Sequence, residues 1–422
     1  MSTPNPSILY IAYHYPPILG SSGVHRTVAF TRHLAQNGWQ VEVLTASLKA
    51  YERWSDDQFS FIPEGVKVTR AYGRDVSRHF AWRNKYLGLM ALPDNWQSWI
   101  LGGFIVGLWR ILRRRPKIIV STYPIASAHF IAYLLHKVTG IPWVADLRDP
   151  MAQEGYPSDK RKKSWFQWIE RKIVKHCQAA VVTAPGAKAL YVARFKNVPE
   201  SFWLILPNGF DDAIFSQALA DHKHPIKGAT KGPLVLLHSG VIYPSERDPS
   251  HLFAALSELQ QEGKICADDV IIRLRATGHD DLFSEQLKQL KIEQLVQLEP
   301  TVPYEQALQE MFDVDGLLLL QAANCNYQIP AKAYEYIRVQ KPVLGLTPTE
   351  GDTGQLLLQA GNAVIAPLDN KIEIKLALLA YIDSLTAPVV ESGHDKLHSY
   401  SRQYQAAKFE KLLDKVLSDT VT

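Results

Sequence analysis

The chain has 422 residues, which is more than one ordinary domain holds, so we expect two domains. With 46% hydrophobic and 21% charged residues, its composition is that of a soluble globular protein. Its cysteines (Cys177, Cys266 and Cys325) are scattered and form no CxxC pair, which argues against a disulfide framework or zinc site and suits a reducing cytosol. The first residues lack the basic-then-apolar pattern of a signal peptide.

The net charge of +4 conceals a difference between the two halves. Residues 1–210 hold 27 Lys and Arg against 13 Asp and Glu, a balance of +14, whereas residues 211–422 hold 19 against 29, a balance of −10. One basic and one acidic half indicate two domains with different partners. A basic half permits nucleic acid as a partner, but no nucleic-acid recognition motif accompanies it, so none is expected.

Short apolar runs alternate with helical patterns along the first half. Helical spacing predicts helices over 24–37 and 126–139, ended by Gly38 and Gly140. Strands that alternate with helices predict a parallel sheet with helices on both faces. The predicted strands are 8–12, 41–45, 117–122, 143–145, 179–183 and 203–206.

The same alternation restarts in the second half, after a turn-rich joint over 207–212 where the charge also changes sign. A helix is predicted over 249–261 and a final one over about 400–417, while 222–233 is predicted as a loop. The predicted strands are 233–238, 270–275, 315–320, 342–345 and 363–366. We therefore expect two α/β domains, 1–207 and 208–399, with the C-terminal helix (400–422) packed back on the first. Each is predicted to be a Rossmann-like, doubly wound parallel-sheet domain, and the two are expected to face each other across a cleft.

Two loops of the first half carry unusual residues at places where α/β sheets bind ligands. Residues 14–26 join the first strand to the first helix, and Gly23 there would turn backbone N–H groups toward an anion, with Arg26 adding a charge. The loop lacks the GxGxxG pattern, and a merely flexible loop is the alternative. Asp146, Arg148 and Asp149 follow a predicted strand, where three charges need either a function or mutual pairing.

Two segments of the second half also carry unusual residues at places where α/β sheets bind ligands. Arg247 stands just before a predicted helix, in a loop that begins at Gly240, and is placed to meet a phosphate. Lys332 and Glu335 lie three residues apart at the start of a short helix that begins near Pro330. Such a Lys could hold a diphosphate and such a Glu the hydroxyls of a ribose; an exposed surface ion pair is the alternative.

Taken in this order, these motifs resemble the GT-B-fold glycosyltransferases of family 4, especially the branch that builds bacterial cell-surface polysaccharides. The resemblance extends over nearly the whole chain. It implies a retaining glycosyltransferase of hexosyltransferase type, which moves a sugar from a UDP- or GDP-sugar to a glycan acceptor carried on lipid, without a metal or other cofactor. The residues that carry it are Tyr15-Pro16-Pro17 with Gly23 and Arg26, 146–150, 207–211, Gly240 with Arg247-Asp248-Pro249, and 329–336.

The resemblance also implies roles for single residues. Glu335 would bind the donor ribose, Lys332 and Arg247 its diphosphate, and the loops of Gly240 and Gly23, the latter with Arg26, would close on it. Asp146, Arg148 and Asp149 fall where the family places acceptor and reaction-centre residues.

Two positions depart from the family pattern. Tyr327 stands where many relatives have a second Glu, and Leu252 where a basic residue is usual. A sugar-nucleotide epimerase or phosphorylase on the same fold, or a scaffold subunit whose site has decayed, are therefore alternatives.

Three further segments bear on metals and membranes. Asp313 and Asp315 form an Asp-x-Asp pair, but it precedes an apolar strand instead of following one, so helix-end carboxylates are the favoured interpretation over a metal site. Residues 96–109 hold no charge but are too few to span a bilayer, and are interpreted as a buried helix with cations at its carboxyl end. Residues 160–172 mix tryptophans with basic residues, as an interfacial helix or a solvated basic face would. We expect a cytoplasmic protein that contacts the inner face of the cell membrane peripherally through 99–117 and 160–172.

Overall fold

The computed structural model describes residues 5–20, 23–79, 88–220, 232–385 and 394–421. It divides the chain into two compact units. The N-terminal unit comprises Met1–Pro207 and Arg402–Thr422, and the C-terminal unit Asn208–Ser401. Ser21 and Ser22 of the first loop and most of the predicted loop 222–233 lie outside the described residues.

The N-terminal unit is built on seven parallel strands in the order β3-β2-β1-β4-β5-β6-β7. The central strands are buried on both faces, which explains why most of them read as continuous apolar runs. The strands are β1 (Ser7–Ile11), β2 (Gln40–Ala46), β3 (Lys67–Ala71), β4 (Ile118–Thr122), β5 (Trp143–Arg148), β6 (Ala179–Val182) and β7 (Trp203–Ile205). The helices are α1 (Gly23–Gln36), α2 (Val76–His79), α3 (Gln97–Arg114), α4 (Ala126–Thr139), α5 (Lys160–His176) and α6 (Pro185–Arg194).

The C-terminal unit repeats the design with six parallel strands in the order β10-β9-β8-β11-β12-β13. The strands are β8 (Leu234–Ser239), β9 (Val270–Arg275), β10 (Val296–Glu299), β11 (Gly316–Leu320), β12 (Val343–Leu346) and β13 (Ala363–Ala366). The helices are α7 (Asp212–Ala220), α8 (Pro244–Arg247), α9 (Ser250–Gln261), α10 (Asp280–Leu290), α11 (Tyr304–Asp313), α12 (Ala331–Val339), α13 (Asp352–Ala360) and α14 (Lys371–Leu385).

The last helix, α15 (Arg402–Val421), belongs to the N-terminal unit, where it packs against α1. The Phe409 ring stacks on Phe30 of α1 with centroids 4.9 Å apart, and Leu413 is fully buried in the same core. The end of the chain thus completes the core of the unit that its beginning forms.

Both sheets reverse their strand order at one point, between β1 and β4 in the first and between β8 and β11 in the second. At such a switch point the loops that follow the two strands diverge and leave a crevice at the carboxyl ends. The α/β class with two Rossmann-like domains is therefore confirmed. Two strands were not predicted, β3 and β10; both are sheet edges, so their sequences (KVTRA and VQLE) alternate weakly instead of forming an apolar run.

Candidate functional site

Lys332 lies at the switch point of the C-terminal unit, in the first turn of α12. Its Nζ is 2.8 Å from Nε2 of His238, which sits near the end of β8. Nδ1 of His238 is 3.0 Å from the carbonyl oxygen of Leu318 in β11. Because a carbonyl only accepts, Nδ1 carries the proton and Nε2 is left to accept from the ammonium. Burial, followed by the charges of Lys332 and Arg247, holds the pKa of His238 well below its ordinary value, so the imidazole is neutral.

Arg247, at the end of α8, supplies a second positive charge to this place. Its Nη1 donates to the carbonyl of Val241 at 2.7 Å, and its guanidinium lies 5.5 Å from the centroid of the Tyr243 ring. Burial, followed by the charge of Arg247, lowers the pKa of Lys332 well below its ordinary value. In the described part of the chain, no carboxylate oxygen lies within 4.0 Å of either cation, so both charges lack an ionic partner there.

Gly240 brings its backbone against the same ammonium. Its φ of +116° is a conformation that side chains of L-residues rarely adopt, and a Cβ there would stand 3.2 Å from Nζ of Lys332. A glycine is therefore required for the first turn after β8 to pass this close to Lys332.

Glu335 follows Lys332 by one helical turn but does not pair with it. The carboxylate is buried, and its Oε1 accepts a hydrogen bond of 2.7 Å from the Tyr304 hydroxyl at the start of α11. The alternative of an exposed Lys332–Glu335 surface pair is thus wrong. Tyr327, the residue that departs from the family pattern, has a side chain that is 41% exposed.

In the N-terminal unit, Arg26 and Asp146 form a buried pair instead of two separate ligand contacts. Nε and Nη2 of Arg26 each lie 3.1 Å from one carboxylate oxygen of Asp146, and Nη1 donates to the carbonyls of Leu206 and Pro207 at 2.9 Å. Asp146 also accepts from Thr122, and neither charged side chain is more than 2% exposed. The pair joins α1 to β5, while the expected roles, a donor ligand for Arg26 and a reaction-centre group for Asp146, stay predictions.

Arg148 is held differently. β5 extends to this residue, so it ends the strand instead of following it, and the register shifts by one residue between Asp146 and Arg148. Its φ is +58°, an unusual value for a residue other than glycine, and such strain concentrates at functional sites. The side chain is 7% exposed, Nη1 reaches only the carbonyl of Tyr123 at 3.3 Å, and Nε has no hydrogen-bond partner among the described residues.

The neighbours of Arg148 are polar groups that follow β1, β5 and β6, beside the switch point between β1 and β4. Burial, followed by the charge of Arg148, lowers the pKa of His14 to about 3. Asp149 accepts from the Thr183 hydroxyl at 2.9 Å, and burial raises the pKa of its carboxyl group. The alternative of mutual pairing, an ion pair from Arg148 to Asp146 or Asp149, does not form within 4.0 Å in the described part of the chain. An acceptor-side or reaction-centre role for Arg148 and Asp149 stays a prediction.

Gly23 is the buried first residue of α1, and its carbonyl accepts from the Thr27 hydroxyl at 3.1 Å. The carboxylate of Asp315 accepts a hydrogen bond of 2.8 Å from the backbone N–H of Val235, and Asp313 is the last residue of α11. Within the described ranges, no group of three or more His, Cys, Asp or Glu is arranged to hold a metal.

Sequence reasoning missed His238 and Tyr304. Both are long-range partners, 94 residues from Lys332 and 31 from Glu335 respectively, so no local spacing connects them. The one available signal was a histidine near the carboxyl end of an apolar strand, two residues before a glycine.

Comparisons with known proteins bear on the family and the fold. The model of the "Glycosyl transferase 4-like domain" family matches residues 22–209, whereas no curated protein matches the chain. The α,α-trehalose 6-phosphate synthase structure from Burkholderia multivorans is 12% identical with a TM-score of 0.68, over 99% of this chain and 98% of its own. A lipopolysaccharide outer core galactosyltransferase is 12% identical with a TM-score of 0.61, over 97% and 99%.

A UDP-GlcNAc 2-epimerase from Neisseria meningitidis, solved with UDP-GlcNAc bound, is also 12% identical, with a TM-score of 0.57 over 97% of this chain and 100% of its own. At such identities the likeness shows the fold alone, and that fold is GT-B. The family match confirms the resemblance to family 4 glycosyltransferases, noted in the sequence, for residues 22–209, while the polysaccharide branch stays a prediction.

Proposed function

Since residues 22–209 belong to the glycosyl transferase 4-like domain family and the fold is GT-B, we propose that this protein is a retaining glycosyltransferase of hexosyltransferase type. Its donor would be a UDP- or GDP-sugar. Its acceptor would be a lipid-linked glycan of cell-surface polysaccharide biosynthesis, met at the cytoplasmic face of the membrane.

The observation that carries this proposal is the pair of uncompensated cations at the switch point between β8 and β11. Lys332 is hydrogen-bonded to a neutral imidazole and Arg247 to a carbonyl, so neither positive charge is paired with a carboxylate within 4.0 Å among the described residues. A sugar nucleotide departs as a diphosphate, and fixed cations beside it stabilise the negative charge that develops as the bond to the sugar breaks. The same anion would relieve the mutual repulsion of the two cations.

Glu335 completes the donor side. Its Oε1 is engaged by Tyr304, and a carboxylate oxygen has a second lone pair, so the group can also accept from the hydroxyls of a ribose. The carboxylate forms no ion pair within 4.0 Å with either cation among the described residues, and burial outweighs its charge in setting the pKa of Lys332.

The acceptor side of the proposal rests on Arg148 and Asp149 at the carboxyl end of β5, beside the switch point of the N-terminal unit. A strained, buried guanidinium with few partners is suited to hold an anionic or hydroxyl-rich acceptor. The lipid-linked acceptor draws support from the +14 charge of residues 1–210 and from the likeness to a lipopolysaccharide galactosyltransferase.

A sugar-nucleotide epimerase is the second candidate, because a UDP-GlcNAc 2-epimerase shares the fold. It would turn over the donor with no acceptor present. A decayed scaffold is disfavoured by the intact Lys332, Arg247 and Gly240 arrangement.

Calorimetric titration of the whole protein with UDP, GDP, ADP and CMP, with and without magnesium, tests the donor site. We expect one nucleoside diphosphate to bind independently of magnesium and Lys332→Ala to weaken it by at least about tenfold, as loss of a charge-assisted contact would. Lys288→Ala, which removes an exposed lysine of α10, is the matched control. Equal affinities in all three proteins would overturn the assignment, and donor turnover without acceptor would favour the epimerase.

A further inference from the structure

Helix α3 exposes a row of large apolar side chains. Leu101, Ile105, Trp109 and Leu112 are 66%, 57%, 46% and 69% exposed, and their spacing of four, four and three residues places them on one face of the helix. The expectation of a buried helix over 96–109 is therefore wrong for this face.

The opposite face of α3 packs against the rest of the N-terminal unit, and the exposed row takes no part in this packing. Gly103 and Gly107 lie against α4 and β2, where an added Cβ would stand 2.5 Å from Ile131 and 2.8 Å from Leu135. Trp99 and Ile111 are buried on the same side. The helix is thus apolar all round although only one side faces the core, and such a helix needs a second apolar environment.

Positive charge surrounds the exposed row. Arg113, Arg114 and Arg115 are all exposed at the carboxyl end of α3, and the Arg113 guanidinium lies 4.4 Å from the centroid of the Trp109 ring. Within the described residues, no ion pair within 4.0 Å engages these three arginines.

Helix α5 extends the basic surface of the same unit. α4 packs against both α3 and α5, so the three helices lie side by side. Between α4 and α5, Trp168 packs on Phe130 at 5.3 Å and on Tyr133 at 5.7 Å, with Lys172 over the Trp168 ring at 5.1 Å. Half-buried tryptophans beside lysines are typical of the interfacial zone of a bilayer.

We propose that α3 docks the protein on an anionic phospholipid bilayer, with Leu101, Ile105, Trp109 and Leu112 in the interface and the three arginines on the lipid phosphates. α5 adds long-range attraction through its basic residues. Among the described residues, no helix combines the length and apolarity needed to span a bilayer, and the docking proposed is monotopic.

A second copy of the chain fits this face less well than a bilayer does. Two copies joined by a two-fold axis through the row would bring their arginine clusters together, and like charges across an interface are costly. An anionic surface compensates both features at once, since it offers an apolar layer beneath negatively charged groups.

The test is co-sedimentation of the full-length protein with vesicles of phosphatidylcholine alone or mixed with phosphatidylglycerol. We expect binding to the mixed vesicles, and we expect the triple variant Leu101→Ser, Ile105→Ser, Leu112→Ser to partition about 100-fold less because exposed side chains lose lipid burial but not core packing. Arg113→Gln with Arg114→Gln should weaken binding to mixed vesicles by about 30-fold and leave the weak binding to phosphatidylcholine unchanged.

Ile372→Ser with Leu376→Ser on α14 is the matched control, because these side chains are 69% and 65% exposed but belong to the acidic half. Thermal melts check that every variant is folded, and nucleotide affinity reports on the proposed function separately. Vesicle binding by the triple variant equal to wild type would overturn the proposal, as would light scattering that shows the triple variant converting a dimer to a monomer.

Discussion

The ammonium of Lys332 is hydrogen-bonded at 2.8 Å to Nε2 of a neutral histidine, His238, and not to a carboxylate. An internal carboxylate would stabilise the charge but would also compete with an incoming anion. A neutral acceptor orients the ammonium and leaves its charge uncompensated. This pairing, between residues 94 positions apart, explains how the site can hold two cations ready for a diphosphate.

Replacement of His238 tests this explanation directly. His238→Glu places a carboxylate beside Lys332, so we expect affinity for the nucleoside diphosphate to fall by at least about tenfold through internal neutralisation and repulsion of the phosphate. His238→Gln supplies a neutral acceptor and should stay close to wild type. Calorimetric titration measures both, and equal losses in the two variants would show that the imidazole itself, not its neutrality, is needed.

The lowered pKa of Lys332 predicts a pH dependence of binding. A bound diphosphate favours the protonated ammonium and raises that pKa, so binding takes up a proton wherever the free protein has lost it. Affinity should be full below the pKa of Lys332 in the free protein and fall as the pH rises through it, at pH values under the ordinary 10.5 of lysine. Titration in buffers of different ionisation enthalpy measures the proton uptake. Lys332→Arg, which stays charged, should flatten the dependence; an unchanged slope in that variant would assign it to another group.

Gly240→Ala should weaken nucleotide binding. The φ of +116° strains any L-residue, at a cost of about 1–3 kcal/mol, and the new methyl would stand 3.2 Å from Nζ of Lys332. Gly263→Ala is the control, since Gly263 also has a positive φ (+68°) but nothing within 4 Å of the added Cβ. Both variants should lower the melting temperature, and only Gly240→Ala should lower the affinity. A similar loss of affinity in both would point to general destabilisation.

Arg26→Met separates the two roles considered for that arginine. It would leave the buried carboxylate of Asp146 without its partner, which costs about 3–5 kcal/mol in the free energy of unfolding of the N-terminal unit. Urea denaturation followed by N-terminal tryptophan fluorescence measures the loss. Nucleotide affinity should be unchanged, because every recorded hydrogen bond of Arg26 goes to its own unit. Weaker nucleotide binding without loss of stability would instead support the donor-binding role.

Arg148→Met, in contrast to Arg26→Met, should lower the activity without lowering the stability. Burial lowers the pKa of this guanidinium, so its charge opposes folding, and removal should leave the stability unchanged or raise it. Transfer to acceptor should fall by at least about 100-fold, the scale of a lost charge-assisted contact at a reaction centre, while nucleotide affinity persists. Single-turnover assays with saturating donor measure the transfer. Full transfer by the variant would exclude Arg148 from the reaction.

Much of the fold follows from local sequence. The apolar runs of β1, β4 and β11 and the glycine that ends α4 act within a few residues, so the helix over 126–139 and the parallel sheets could be predicted from spacing alone. The start of α12 at Pro330 likewise placed Lys332 and Glu335 correctly on one short helix.

The decisive features of the sites depend on distance in space. Arg26 and Asp146 are 120 residues apart, so nothing in either segment shows that each satisfies the other. The contacts of Lys332 could not be predicted from the sequence around it either, because β8 and α12 meet only when the sheet has formed.

The sequence by itself determined the β/α alternation and the residue types available at each strand end, because hydrophobic periodicity and turn chemistry are local. Only the tertiary structure decided which charges pair, which stay uncompensated and which face of α3 is left uncovered. The sequence does not distinguish an apolar residue on the buried side of a helix from one on the exposed side. Only packing against α4 determines which side of α3 remains exposed.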